Sequence, residues 1–285
     1  MKRVLIVLIM LTVILSSCVF SFENTETTEE YKSPYATDID GQLVPVHDDV
    51  EESKLDPKLF YRDERGRMKY MSAEQNILTG IDVSVFQGDI NWHEVAADGI
   101  EFVMLRAGFR GYGAKGILQV DEKLKDNYVG AKQAGLKVGV YFYSQAINEA
   151  EAVEEALFLL EAIKGMDLDF PVAYDWEYVD SAVARTNNMT SSEITKCANA
   201  FCNEILKYDY QVIVYFNCEI GYFEYDLSKL QNFGFWLAEY NEYPTFIYDY
   251  KMWQYTDKGS VNGIDGSVDI NISVVDFSKV PDSVG

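Results

Sequence analysis

From Thr79 onward, short apolar runs alternate with stretches of helical period, and no other feature of the chain constrains its fold as tightly. The strand-like runs are Gly80-Ile81-Asp82-Val83, Phe102-Val103-Met104-Leu105, Lys137-Val138-Gly139-Val140-Tyr141 and Pro171-Val172-Ala173-Tyr174. Four more follow: Val212-Ile213-Val214-Tyr215, Phe235-Trp236-Leu237-Ala238, Met252-Trp253-Gln254-Tyr255 and Val268-Asp269-Ile270. Helical stretches over Trp92–Asp98, Glu122–Ala134, Glu149–Ile163 and Ser192–Tyr208 separate the first five. Strands that are apolar throughout are covered on both faces, and with intervening helices they read as a parallel sheet. Eight of them predict a closed α/β barrel of the TIM type. The 285 residues, 48% hydrophobic, suffice to cover one such domain. The last three runs are joined by glycine-containing segments of weak helical signal, so the end of the barrel is expected to be irregular.

In a barrel of this type the chemistry gathers at the C-terminal ends of the strands. Acids follow the apolar runs there: Asp82 on the first, Asp175 and Glu177 on the fourth, Glu239 on the sixth and Asp269 on the last. A carboxylate beside a buried strand is costly to desolvate unless it is used or paired. Asp175 and Glu177 form the sharpest pair. Positions i and i+2 of a strand face the same side, roughly 7 Å apart along the chain, so both carboxyls point into one cavity and Trp176 points away. Glycoside hydrolysis uses such a pair, one acid protonated to donate to the leaving oxygen and one ionised to stabilise positive charge on the sugar. Like charges in proximity split their pKa values and keep one proton bound near neutral pH. An Asp-x-Glu triplet is common by chance, and its position at a strand end raises it above that background.

The aromatics Tyr141, Tyr143, Tyr174, Tyr215, Trp236 and Tyr255 are candidates for a sugar-stacking floor, with packing as the alternative. Gln87 and Gln254 are candidate partners for N-acetyl or hydroxyl groups, Glu239 joins the substrate-binding set, and Arg106 is expected between the acids as an ion-pair partner. A net charge of −22 excludes a phosphate-backbone binder, which needs a basic face. The two histidines, His47 and His93, fall in unrelated segments and there is no Cys-x-x-Cys, so no metal centre is expected. No glycine-rich phosphate loop or serine nucleophile elbow follows a strand.

Lys2-Arg3 and the apolar run Val4 to Leu15 read as an export signal, short for a membrane-spanning helix, with an uncleaved signal anchor continuing to Phe22 as the alternative. Small residues at 16 and 17 precede Cys18, a pattern similar to the bacterial lipoprotein signal, in which the cysteine is lipidated; cleavage nearby with loss of Cys18 is the alternative. Residues 1–18 are therefore set apart as the signal. Residues 19–58, acidic and poor in aliphatics, are expected to be a flexible tether, and 59–78 a flap on the edge of the 79–285 barrel. Cys197, Cys202 and Cys218 cannot all pair with one another; Cys202 with Cys218 and three free thiols both stay open.

The motifs Gly80-Ile81-Asp82-Val83-Ser84, Gln87-Gly88, Ile90-Asn91-Trp92, Gly139-Val140-Tyr141-Phe142-Tyr143-Ser144, Asp175-Trp176-Glu177, Trp236-Leu237-Ala238-Glu239-Tyr240, Trp253-Gln254-Tyr255 and Val268-Asp269 occur in order over about residues 79–277. Together they resemble the family 25 glycoside hydrolases, the Chalaropsis-type lysozymes. The resemblance implies a (β/α)5(β)3 barrel and N-acetylmuramidase activity on the glycan strands of peptidoglycan, without a cofactor. It implies Glu177 as general acid/base, Asp175 as the carboxylate supporting the anomeric carbon, and Asp82 and Asp269 as further acids of the catalytic pocket. Retention with the substrate's N-acetyl group as nucleophile is favoured; a covalent Asp175 adduct and inversion stay open. Two other readings compete. A non-catalytic peptidoglycan-binding lipoprotein is disfavoured by the presence of all four acids, and a chitinase-like enzyme by the absence of the longer acidic run on the fourth strand. The protein is expected to be a monomer on the outer face of a Gram-positive membrane, touching the bilayer only through its N-terminal anchor.

Overall fold

The computed structural model describes residues 34–72 and 77–279. Two antiparallel hairpins come first, β1 (Tyr35–Thr37) with β2 (Leu43–Pro45) and β3 (Phe60–Arg62) with β4 (Met68–Tyr70). The barrel strands follow as β5 (Leu78–Val83), β6 (Phe102–Arg110), β8 (Lys137–Ser144), β9 (Val172–Trp176), β10 (Val212–Asn217), β11 (Phe235–Ala238), β12 (Met252–Gly259) and β13 (Val268–Ser273). They close in the order β5-β6-β8-β9-β10-β11-β12-β13, with β13 hydrogen-bonded back to β5; the short β7 (Leu118–Val120) adds antiparallel to the outer end of β6. Helices α1 (Trp92–Ala97), α2 (Leu124–Gln133), α3 (Glu149–Ala162), α4 (Ser191–Leu206) and the short α5 (Cys218–Phe223) follow the first five barrel strands. Among the described residues, no helix lies between β11 and β12 or between β12 and β13; 3-10 turns stand before β11 and after β13.

One strand departs from the parallel sheet read in the sequence: β13 runs antiparallel to both of its neighbours. A parallel crossover takes a dozen or more residues, and residues 260–267 between β12 and β13 are too few for one.

Strand alternation divides the core into two layers. Phe102, Met104, Ala173, Ile213, Trp236 and Met252 fill the barrel interior. Their neighbours Val103, Leu105, Tyr174, Val214, Leu237 and Trp253 face outward, in the same cluster as Ala152, Ala156 and Leu159 of α3 and Ala198 and Phe201 of α4. Gly80 belongs to the interior because a Cβ there would lie 2.4 Å from the Phe102 ring. Asn91, Asn148, Thr190 and Asn217 cap the starts of α1, α3, α4 and α5, the fullest cap being the reciprocal Thr190–Glu193 box that opens α4, while α2 starts without a side-chain cap.

The second half of the expected tether is ordered instead. His47 Nε2 lies 3.0 Å from the Tyr222 carbonyl, Ser53 N donates to Ile247 O at 2.9 Å and Asp249 N to Glu51 O at 2.9 Å. Val44 is buried against the barrel's apolar layer. These ties are largely main-chain bonds, which a count of aliphatic side chains does not register. The β3–β4 hairpin packs through Phe60, whose ring centroid is 5.2 Å from that of Trp253.

Candidate active site

A cavity of about 330 Å³ opens at one end of the barrel. Asp82 enters it from β5, Tyr141 and Tyr143 from β8, Asp175 from β9 and Glu177 from just beyond β9. Tyr215, Trp236, Gln254 and Asp269 enter from β10, β11, β12 and β13. Each shares the inward parity of its strand. Asp175 continues from Ala173, Tyr215 from Ile213 and Gln254 from Met252, all inside the barrel. Asp269 stands opposite Asp82 in the β13–β5 register. It reaches this rim from the start of its strand, not the end, because β13 is reversed.

One wall is a continuous hydrogen-bonded chain. Asp82 Oδ2 accepts from Gln254 Nε2 and Asn271 Nδ2, both at 2.8 Å. Trp236 Nε1 donates to Asn271 Oδ1 at 2.8 Å. Tyr215 and Tyr240 donate their hydroxyls to Gln254 Oε1 at 3.0 and 2.8 Å. With its oxygen occupied by two phenols, the Gln254 amide can only present its nitrogen to Asp82, so the orientation of Asp82 is set. Trp236 stands edge-on to Tyr215 and Tyr141, at centroid distances of 4.9 and 6.3 Å.

Opposite this wall, Asp175 is 5% exposed, and its Oδ1 is buried without a hydrogen-bond partner among the described residues. Glu177 is half-buried and nearer the opening. Burial raises both carboxyls above their ordinary values, and for Asp175 the charges of Glu177 and Asp82 raise it further. Two such groups do not ionise together, so the pair holds a proton above the ordinary carboxylate range. Asp82 is raised by burial, against the bonds from Asn271 and Gln254. Asp269 is pushed up to about 8 by burial and by Asp82 beside it. The mouth therefore holds two carboxyl pairs that favour bound protons and disfavour further negative charge.

Other sequence candidates lie elsewhere. Glu239 is turned out of the cavity: its carboxylate accepts from Thr245 N, Thr245 Oγ1 and Phe246 N, bracing the segment between β11 and β12. An acid next to an inward-facing alanine points outward by the same alternation, and the strand-end rule overlooked this. Arg106 lines the mouth but is paired with Asp121, at 2.8 Å from both Nε and Nη2, and not with Asp82, Asp175, Glu177 or Asp269. Gln87 lines the rim while its side chain caps Ser84 N at 2.8 Å. Tyr174 and Tyr255 face the outer layer. Cys197, Cys202 and Cys218 are free thiols.

Sequence reasoning missed Asp257, Phe86 and Tyr240 on the cavity wall, and Asn271 behind it. Asn271 was within reach, being two residues from Asp269 on the same face. Phe86 carried a weaker signal, an apolar residue inside a polar turn; it is 81% exposed, with the Arg106 guanidinium 5.0 Å from its ring centroid. Among the described residues, no group of three or more His, Cys, Asp or Glu is placed to hold a metal ion.

Residues 81–264 match the glycosyl hydrolases family 25. The chain is 33% identical over 196 residues to the autolytic lysozyme of Clostridium acetobutylicum, covering 68% of this chain and 55% of that protein. It is 26% identical over 212 residues to lysozyme M1 of Streptomyces globisporus, covering 70% and 68%. The modular autolysin LytC of Streptococcus pneumoniae, solved in complex with a synthetic peptidoglycan ligand, superposes with a TM-score of 0.60 at 27% identity, covering 84% of this chain and 56% of that one. The chain thus spans little more than half the length of the clostridial and pneumococcal proteins. With the match extending over more than half of its own residues and the barrel built as described, the chain belongs to glycosyl hydrolases family 25.

Proposed function

We propose that this protein is a peptidoglycan hydrolase that cleaves the β-1,4 bond between N-acetylmuramic acid and N-acetylglucosamine. The observation that carries the reading is the Asp175–Glu177 pair on one strand face, in a cavity that also gathers Asp82, Asp269, Tyr141, Tyr143, Tyr215 and Trp236. The likeness to proteins named lysozymes and to an autolysin seen with a peptidoglycan ligand supports it.

Glu177, the more accessible of the pair, gives its proton to the glycosidic oxygen as the bond to the anomeric carbon breaks. The carbonyl oxygen of the substrate's own N-acetyl group attacks that carbon, forming an oxazolinium whose positive charge Asp175 stabilises and orients. Water then opens the ring with Glu177 accepting its proton, so the configuration is retained and the acid is regenerated. Burial favours this chemistry twice, keeping a proton on the pair and strengthening the field of the remaining carboxylate.

The leader and Cys18 lie outside the described residues. The basic start, apolar run and small residues before Cys18 support a protein exported and held at the membrane by a lipidated cysteine. Fractionation and fatty-acid labelling of Cys18→Ala test that part, and unchanged labelling would overturn it. For the reaction, purified peptidoglycan should yield new N-acetylmuramic acid reducing ends, formed first as the β anomer. New N-acetylglucosamine ends, or no release at all, would refute the reading.

A further inference from the structure

Pairing between β8 and β9 ends with Ser144 opposite Trp176, so Glu177 is the first residue beyond the last rung. Its main-chain carbonyl is taken up by a side chain: Gln145 Nε2 donates to Glu177 O at 3.2 Å. Gln145 is completely buried, and the other end of its amide is also used, Oε1 accepting from Thr186 Oγ1 at 3.0 Å. Its main-chain N donates to Glu155 Oε1 at 3.3 Å, and Glu155 is itself held by Arg110 Nε at 2.7 Å and by the Ser144 hydroxyl. A buried amide costs free energy unless its polar atoms are bonded. Here the bonds fasten the backbone of the one pair member that stands past the end of the sheet, and they tie it to the 178–190 segment through Thr186. Asp175 needs no such device, because it lies within β9 and is paired on both sides.

We propose that Gln145 is a positioning residue for the reaction, holding the Glu177 main chain so that the Glu177 carboxyl meets the glycosidic oxygen. This rests on the reading of Glu177 as proton donor. A misplacement of about 1 Å at a reacting group can cost about 100-fold in rate. Gln145→Met keeps the volume and removes both side-chain bonds. On soluble glycan fragments it should lower kcat by about 10–100-fold and leave KM nearly unchanged. Placed in Glu177→Gln, the same substitution should lower the residual rate less than twofold, since there is no donor left to position.

Equal fractional losses in the two backgrounds, or a loss carried by KM, would overturn the inference. Should circular dichroism show Gln145→Met unfolded, Thr186→Val removes only the outer bond and is expected to give a smaller loss that likewise vanishes in Glu177→Gln. A Glu177→Gln enzyme that keeps wild-type activity removes the donor reading and the positioning role with it. An inactive Glu177→Gln with additive losses removes the positioning role alone.

Discussion

Glu177→Gln changes one oxygen to an amide and leaves the side chain's length intact, so its effects can be set out as numbers. General acid catalysis contributes about 10²–10⁴-fold, equivalent to about 2.7–5.4 kcal/mol of barrier at 1.36 kcal/mol per decade. The release of N-acetylmuramic acid ends should fall by at least the lower figure. Stability should move the other way. Both members of the pair have native pKa values raised by burial first, Asp175 further by the charges of Glu177 and Asp82, and Glu177 by the charge of Asp82. Between the unfolded values near 4 and the raised native values, the native state binds more protons than the unfolded state, so stability declines as pH rises. Each excess proton contributes about 1.4 kcal/mol of decline per pH unit across that window. The substituted amide does not titrate, so the variant should gain on the wild type from pH 5 to pH 7.5, with a melting-temperature difference that grows in its favour. Melts at the two pH values and a reducing-end assay are sufficient. A folded variant within tenfold of wild-type rate, or a melting difference that shrinks with rising pH, would refute the reasoning.

Asp269→Asn should retain most activity at pH 6, where the native carboxyl, with its pKa pushed up to about 8, is already neutral; it should alter the rate profile above pH 8, and an unchanged alkaline limb would show that Asp269 does not act on the pair. Arg110→Met leaves Glu155 buried without its ion-pair partner and should cost about 3–5 kcal/mol. Because burial raises the Glu155 pKa to about 7 while Arg110 holds it down, losing Arg110 raises it further, so the cost should be largest at alkaline pH and ease as pH falls towards 7 and the carboxyl takes up its proton; thermal melts showing no pH dependence would contradict this. A chain starting at Lys58 should melt below one starting at Pro34, each lost main-chain bond from Glu51 and Ser53 being worth about 1 kcal/mol, and equal melting temperatures would return residues 34–57 to the role of a tether.

What could be read from residue order alone was whatever depends on local period. The eight apolar runs appear as the eight barrel strands, and the i, i+2 rule aimed Asp175 and Glu177 inward with Trp176 outward. These features were legible because a strand's two faces are determined within the strand. The same rule, applied one residue more carefully, would have turned Glu239 away from the cavity, since Ala238 beside it faces in. The ordering of residues 34–58 escaped composition because the bonds that hold it come largely from the main chain, which every residue carries.

Tertiary structure alone decided the partners. Arg106 chooses Asp121 over the four cavity acids, and Gln145, just past the end of β8, reaches the Glu177 carbonyl. The direction of the last strand is the clearest case. The strand-end rule brought Asp269 to the rim by assuming a parallel β13; it is there because β13 is antiparallel, which sets Asp269 opposite Asp82 in register. Period fixes which face a side chain takes, but strand direction depends on how the chain returns after β12, a long-range choice that sequence pattern does not encode.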